Sequence, residues 1–399
     1  MGSSLSRQDF IAQQTALCTQ LNLKLPTEAA LELAWQNYQS LVAQLGTRQS
    51  LALCEFINSA LYHPQCGYYT SGELPFGPSG DFITAPETSP LFAAAIADYI
   101  TPQLTALDGQ LVELGAGTGA LAVSLWQQLS GLKDYWIVET SALLRDVQRQ
   151  QLAAAGVDLQ HCHWVTTANE LPPRAFIIGN EVLDAIPAYQ ARCDQGQWLE
   201  RRVILDQGNW QLDWLPAQTP ALREWLANHQ DKLPNIEGYI VEAAPLRSDF
   251  CRDWLDGFEQ AVVLFLDYGF DAGEFFAESR HQGSLRCYYQ HQCHEKLTLL
   301  PGLQDITSHV NFSELCGDLE NQGWQLSGFC SQRDLILNSS AINDFSLSDD
   351  LIERAQQSQA LQILMMPGEM GDRVKAIAFT LQFSENAEAI IPTNLVTRL

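Results

Sequence analysis

Residues 112–121 read "VELGAGTGAL": an acid near the end of an apolar run, then three alternating glycines. The run begins at Gln110 ("QLVEL"), and helical spacing of apolar residues starts at Gly119. Strand, glycine turn and helix in that order open a βα unit whose turn lets a ligand approach the main chain. Gly115, Gly117 and Gly119 keep side chains out of that turn, and Glu113 stands at the strand's end. Twenty-six residues after Glu113, a second apolar run, "YWIVETS", ends at Glu139, where a carboxylate can accept both hydroxyls of a ribose. The two acids and the glycines together imply a nucleoside-type ligand.

Two ligands compete. Gly115, Gly117 and Ala120 satisfy the loose dinucleotide pattern G-x-G-x-x-A, so a NAD-dependent oxidoreductase is one reading. Against it, Glu113 precedes the first glycine by two residues, and a carboxylate there repels a pyrophosphate. S-adenosylmethionine has no phosphate and carries an ammonium and a sulfonium, which an acid attracts. An ordinary strand-to-helix turn explains three glycines and two spaced acids poorly.

Outward from this motif, short apolar runs alternate with helical stretches. "FIIGN" is a further strand, "AVVLFLDYG" (261–269) another, and "RVKAIAFTLQF" (373–383) a near-terminal one. The alternation predicts an α/β, Rossmann-like fold with a mostly parallel, seven-stranded sheet. Residues 1–105 predict helices plus a non-periodic loop at 67–89, and residues 106–187 with 261–399 a cofactor-binding core. Residues 188–260, with strand patterns split by "DQGQ" and "DQGN" turns, predict an inserted β-rich and helical substrate subdomain. At the end of "FIIGN", Asn180, Glu181 and Asp184 fall where open parallel sheets bind ligands.

Bulk properties narrow the class. The 399 residues carry 47 acidic and 22 basic side chains, a net charge of −25, which repels phosphate backbones and weighs against nucleic acid. Ten cysteines without a CxxC pair predict free thiols in a reducing compartment, and with no apolar run long enough to span a bilayer the expected location is cytoplasmic. The opening "MGSSLS" fits the short N-myristoylation pattern, which chance often satisfies. "HCH" (161–163) and "HQCH" (291–294) do not make a closed four-ligand set, so no metal is expected; on a strand His161 and His163 share one face, with Trp164 placed beside an adenine.

Eight ordered motifs between about residue 50 and residue 383 resemble the MidA-like methyltransferases: "HPQCGYYTSG", "FGPSGDFITAPETSPLF", "VELGAGTGAL", "IVETSALLRDVQ", "NEVLDAIP", "LDYGF", "GSLRCYYQH" and "DITSHVNF". The family includes a mitochondrial assembly factor for respiratory complex I. The resemblance implies a class I fold, S-adenosyl-L-methionine as cofactor, a protein arginine as acceptor and a respiratory-complex subunit as partner. Ala116 and Thr118 stand where many relatives carry bulkier or basic residues, but the glycines remain.

On this resemblance the loop at 67–89 is an active-site lid, with Tyr68, Tyr69, Asp81, Phe82, Thr84 and Glu87 lining the space over the methyl group and Gly80 admitting the cofactor. Asp81 and Glu181, then Asp184 and Glu87, are the expected catalytic carboxylates. Thr118, Trp164 and Asn180 join the glycines and the two acids around the cofactor, and Asp267, Tyr268, Arg286 and His309 are expected toward the substrate. Rival readings are a NAD-dependent oxidoreductase, a small-molecule methyltransferase and a cofactor-binding assembly factor without turnover.

Overall fold

The computed structural model describes residues 4–71, 84–383 and 389–399. The chain divides into two compact units: residues 1–82, 184–247 and 274–309 form the first, and residues 83–183, 248–273 and 310–399 the second.

The second unit is built on strands β1 (Gln110–Leu114), β2 (Asp134–Val138), β3 (Cys162–Val165), β4 (Arg174–Asn180), β5 (Gln260–Phe270), β6 (Gln325–Ser331) and β7 (Val374–Leu381). They lie in the order β6-β7-β5-β4-β1-β2-β3, with the two-residue strand Val310–Asn311 added beside β5. Neighbours from β5 to β3 are parallel, while β7 runs antiparallel to both β5 and β6. Strand order reverses between β1 and β4, and in such sheets ligands bind beyond the carboxyl ends at that switch. The glycine turn follows β1 there, and Asn180 ends β4.

Strands β1, β4 and β5 are apolar on both faces because helices cover the sheet on each side. Gly179 carries no Cβ where one would come within 2.8 Å of the Phe265 ring, so the β4–β5 pair packs closely just below the switch. The short helix α1 (Ala85–Thr88) leads into α2 (Pro90–Leu104), started by Ser89, whose Oγ accepts the Leu91 N–H, and by Pro90 in the first turn. Leu91, Phe92, Ile96 and Ile100 of α2 pack in one cluster with Leu111, Ile137, Phe176, Ile178 and Leu264 of the sheet.

The first unit combines helices Arg7–Gln20, Glu28–Leu45 and Leu53–Tyr62 with an antiparallel sheet. In that sheet Gln197–Asp206 pairs with Leu51–Ala52, Tyr189–Asp194 and Asn209–Pro216, and Tyr189–Asp194 also with Ile240–Ala243. Its hairpins turn at Gln195-Gly196 and Gln207-Gly208, with positive φ at all four residues, as two-residue type I′ loops require. A smaller sheet sets Arg286–Tyr289 between Gln292–His294 and Asp305–Thr307. Among the described residues no helix is long and apolar enough to cross a membrane.

This grouping departs from the partition of the sequence: residues 248–260 fall with the core and 184–187 with the first unit, and three larger segments move as well. Residues 83–105 belong with the core because α2 supplies one wall of its apolar cluster. Segment 188–247 does not stand alone: Leu51 pairs with Val203, and Trp210 packs with Phe10, Tyr38 and Phe56. Residues 274–309 join the same unit, since Leu285, Cys287 and Tyr289 pack with Ile57 and Leu61. Local periodicity carries no information on such distant pairings.

Candidate active site

Around the switch point the second unit brings Glu113, Gly115, Gly117, Thr118, Gly119, Glu139, Trp164, Asn180, Glu181, Glu87 and Thr84 onto neighbouring elements. The glycines have φ of +69°, +52° and +88°, a left-handed backbone that residues with a Cβ rarely adopt. Gly119 caps helix α3 (Ala120–Gln128).

Glu139 follows β2 and is nearly buried. Its Oε1 accepts the Ser141 N–H at 2.8 Å and its Oε2 accepts Gln148 Nε2 at 3.2 Å. Burial holds its carboxyl above the ordinary range, and these hydrogen bonds oppose that rise. Helix α4 (Ala142–Ala154) carries Gln148, capped by Ser141 Oγ on the Leu144 N–H. Gln148 is fully buried and ties three parts of the site together: its Nε2 also donates to the Gly117 carbonyl at 2.9 Å, and its Oε1 accepts Trp164 Nε1 at 2.9 Å. Sequence reasoning missed Gln148, although it interrupts the otherwise apolar stripe of Leu144 and Leu152, a signal of a polar group with buried partners. Arg149 lies over the Trp164 ring at 4.5 Å. His161 and His163 sit at the opposite end of β2, both within 3.4 Å of Asp134 Oδ1, away from the Glu139 end expected for an adenine.

Glu113 is buried in the sheet and accepts the Tyr135 hydroxyl at 2.7 Å. Burial pushes its carboxyl up to about 7, against a lowering by Tyr135 and a further rise from Glu139. Near neutral pH it is therefore only partly charged, and the repulsion expected against a pyrophosphate is weaker than the sequence implied. The sign of its stability effect follows. The folded state holds the proton more tightly than the unfolded chain, so this contribution is full below pH 4.5 and is lost as pH rises to about 7. That interval corresponds to roughly 3 kcal/mol. Urea unfolding should show Glu113→Gln gaining about that much on wild type between pH 4.5 and 8; parallel pH profiles would contradict the assignment.

Asn180, Glu181 and Leu183 form the turn after β4. Glu181 has φ +52°, a left-handed conformation uncommon in a residue with a side chain, and its N–H donates to the Leu266 carbonyl at 2.8 Å. Its Oε1 accepts Asn180 Nδ2 at 3.4 Å and the Ala85 N–H at 3.5 Å. Asp267, fully buried, holds this turn: Oδ2 accepts the Leu183 N–H at 2.7 Å and Oδ1 the Tyr268 N–H at 2.8 Å. Both oxygens thus accept main-chain N–H groups, and Asp267 positions this turn. Asp267→Ala removes two charge-assisted hydrogen bonds that hold this turn and should cost roughly 2–6 kcal/mol in denaturant unfolding. An unchanged midpoint would contradict that role. Tyr268 is half-buried against the core cluster.

On helix α1, which Thr84 precedes, Glu87 Oε1 accepts the Thr118 hydroxyl at 3.1 Å. Glu87 Oε2 and Asn180 Oδ1 are buried and meet no hydrogen-bond donor among the described residues. Open glycine backbone, a held carboxylate at Glu139 and two buried acceptors suit a nucleoside that carries positive charge. Gly80, Asp81 and Phe82 lie outside the described residues.

In the first unit, Tyr69 donates to Asp305 Oδ1 at 2.8 Å, stacks on Tyr62 at 5.5 Å and meets Tyr68 edge-on at 4.9 Å. Burial, then Asp305, holds the Tyr69 hydroxyl well above its ordinary range, with Asp184 among the charges acting on it. Tyr288, opposite Asp305 in the small sheet, is pushed up to about 12 by burial and then Cys293, with Asp184 and Asp305 also contributing. Asp184 itself is buried, and its carbonyl accepts the Ser308 N–H at 3.0 Å. Tyr68, Tyr69 and Asp184 are thus gathered around Asp305, which sequence reasoning set among the later motifs without a role. Arg286 donates to the Leu285 carbonyl and pairs with Glu295 at 3.7 Å, and His309 is tied by its main chain to Ser284 and Arg247.

The model of a family described as "Putative S-adenosyl-L-methionine-dependent methyltransferase" matches residues 95–330. A protein from Burkholderia thailandensis, crystallised bound to S-adenosyl-homocysteine, is 32% identical, with a TM-score of 0.84 over 92% of this chain and 97% of that one. The Danio rerio protein named "Protein arginine methyltransferase NDUFAF7, mitochondrial" is 28% identical over 357 residues, covering 81% of this chain and 82% of its own. The Homo sapiens protein of the same name is 26% identical over 370 residues, covering 82% and 79%. These relatives are labelled mitochondrial, which overturns the cytoplasmic expectation: a scatter of unpaired cysteines marks a reducing environment and does not distinguish one such compartment from another. The switch-point geometry, the matching family model and the neighbour bound to S-adenosyl-homocysteine agree, and the chain belongs to this family of S-adenosyl-L-methionine-dependent methyltransferases.

Proposed function

We propose that the protein methylates an arginine side chain of a protein partner. The observation that carries this reading is the cluster of Tyr68, Asp184 and Asp305, all buried, with the partly buried Tyr69 and Tyr288 in the first unit. Aromatic faces and carboxylates together suit a planar guanidinium, which stacks and donates in a fixed fork. The relatives' names support the same acceptor. The net charge of −25 favours approach of a basic protein, and a respiratory-complex subunit is the partner class we assign.

The bound cofactor supplies an electrophilic methyl group on a sulfonium. Glu139 and the glycine turn hold the nucleoside, with Gln148 fixing both. An acceptor nitrogen forms its bond to the methyl carbon as the carbon–sulfur bond breaks, and the guanidinium gives up one proton. Glu181 orients the guanidinium and takes that proton. Positioning supplies most of the acceleration, since the leaving thioether is already good.

The test is a hydrolysate analysis after reaction with a methyl-labelled cofactor and mitochondrial protein as acceptor. Label recovered as methylarginine is the expected result. Label in methyl-lysine, or only in the small-molecule fraction, would overturn the arginine reading.

A further inference from the structure

We propose that Glu87 binds the α-ammonium of the methyl donor, a role apart from the acceptor-orienting one its sequence position suggested. The inference rests on the cofactor reading of the second unit. Four acids lie near the glycine turn there, and of these Glu87 alone has a buried oxygen that meets no donor among the described residues. Glu113 is turned into the sheet onto Tyr135. Glu139 takes the Ser141 N–H on one oxygen and Gln148 on the other. Glu181 Oε1 takes Asn180 and the Ala85 N–H.

Glu87 differs. Its Oε1 is fixed by the hydroxyl of Thr118, which lies between the glycines, so the carboxylate is anchored to the turn itself. Its Oε2 is buried with no donor among the described residues. A buried carboxylate oxygen without a donor is costly unless a ligand supplies one. Asn180 Oδ1, at the end of the adjacent strand β4, is a second such acceptor. Two acceptors and one negative charge beside a phosphate-free nucleoside site match an alkylammonium, a donor of three protons with no acceptor. Helix α1 is joined to both turns of the switch point: Glu87 reaches the glycine turn and the Ala85 N–H reaches Glu181.

The experiment is calorimetric titration of the full chain with S-adenosylhomocysteine and with its deaminated analogue, which keeps the carboxylate and lacks the ammonium. Wild type should bind the amine-bearing ligand more tightly. Glu87→Gln should weaken S-adenosylhomocysteine roughly 10- to 100-fold and leave the deaminated analogue within about threefold, so that most of the discrimination disappears. Equal weakening of both ligands would overturn the proposal in favour of a structural role through Thr118, and no weakening of either would overturn it outright. If Glu87→Gln does not fold, Glu87→Asp retains the charge one methylene further back and should lose part of the discrimination; full discrimination there would contradict the assignment. Failure of wild type to bind S-adenosylhomocysteine at all would instead overturn the cofactor reading.

Discussion

Glu181→Gln should lower methyl transfer about 10²–10³-fold while leaving S-adenosylhomocysteine affinity within about threefold. The residue follows β4 at the sheet's switch point in a left-handed conformation, φ +52°. Such a backbone costs on the order of 1–3 kcal/mol and persists only where its surroundings impose it. Here the surroundings are visible: the Glu181 N–H is held by Leu266, and the turn is pinned by Asp267 on the Leu183 N–H. Strain held in place by a buried carboxylate aims one side chain. Glutamine keeps the shape and can still accept from Ala85, but it offers no charge to a guanidinium and takes no proton. Equal losses in turnover and cofactor affinity would show that Glu181 serves the cofactor, and full turnover would remove it from the chemistry.

Glu139→Gln should weaken S-adenosylhomocysteine roughly 10- to 100-fold, from the loss of a charge-assisted hydrogen bond to a ribose hydroxyl. The carboxylate already spends one lone pair on Ser141 and one on Gln148, so a single amide oxygen cannot serve the main chain, Gln148 and a sugar together. The same titration with a 2′,3′-dideoxy analogue separates recognition from damage. There the variant should approach wild type, and an undiminished gap would mean that Glu139 acts only by holding α4 and the glycine turn.

The parts of this site that were legible in the sequence are those written in short-range chemistry. Three glycines at alternate positions dictate a turn that side chains cannot make, and strands buried on both faces read as unbroken apolar runs. Glu139 was legible as a strand-end acid because the apolar run before it is the strand β2. Other contributions depend on long-range geometry. Tyr69 and Asp305 lie 236 residues apart, and no periodicity links them. The hold of Asp267 on the turn after β4 shows only once its two oxygens are seen to accept main-chain N–H groups. Gln148 was passed over because reading a helix by its apolar stripe discards the polar member of that stripe. The charge of Glu113 was overestimated for the complementary reason: sequence shows the acid but not the burial that raises its carboxyl to about 7.

The most direct test of methyl transfer to protein arginine is a single-turnover reaction of wild type and Glu181→Gln, each loaded with one equivalent of methyl-labelled cofactor and presented with mitochondrial protein. The account predicts label in methylarginine with wild type and a rate lower by about 10²–10³-fold with the variant, both proteins binding the cofactor alike. Saturable cofactor binding by wild type with no label in methylarginine would contradict it.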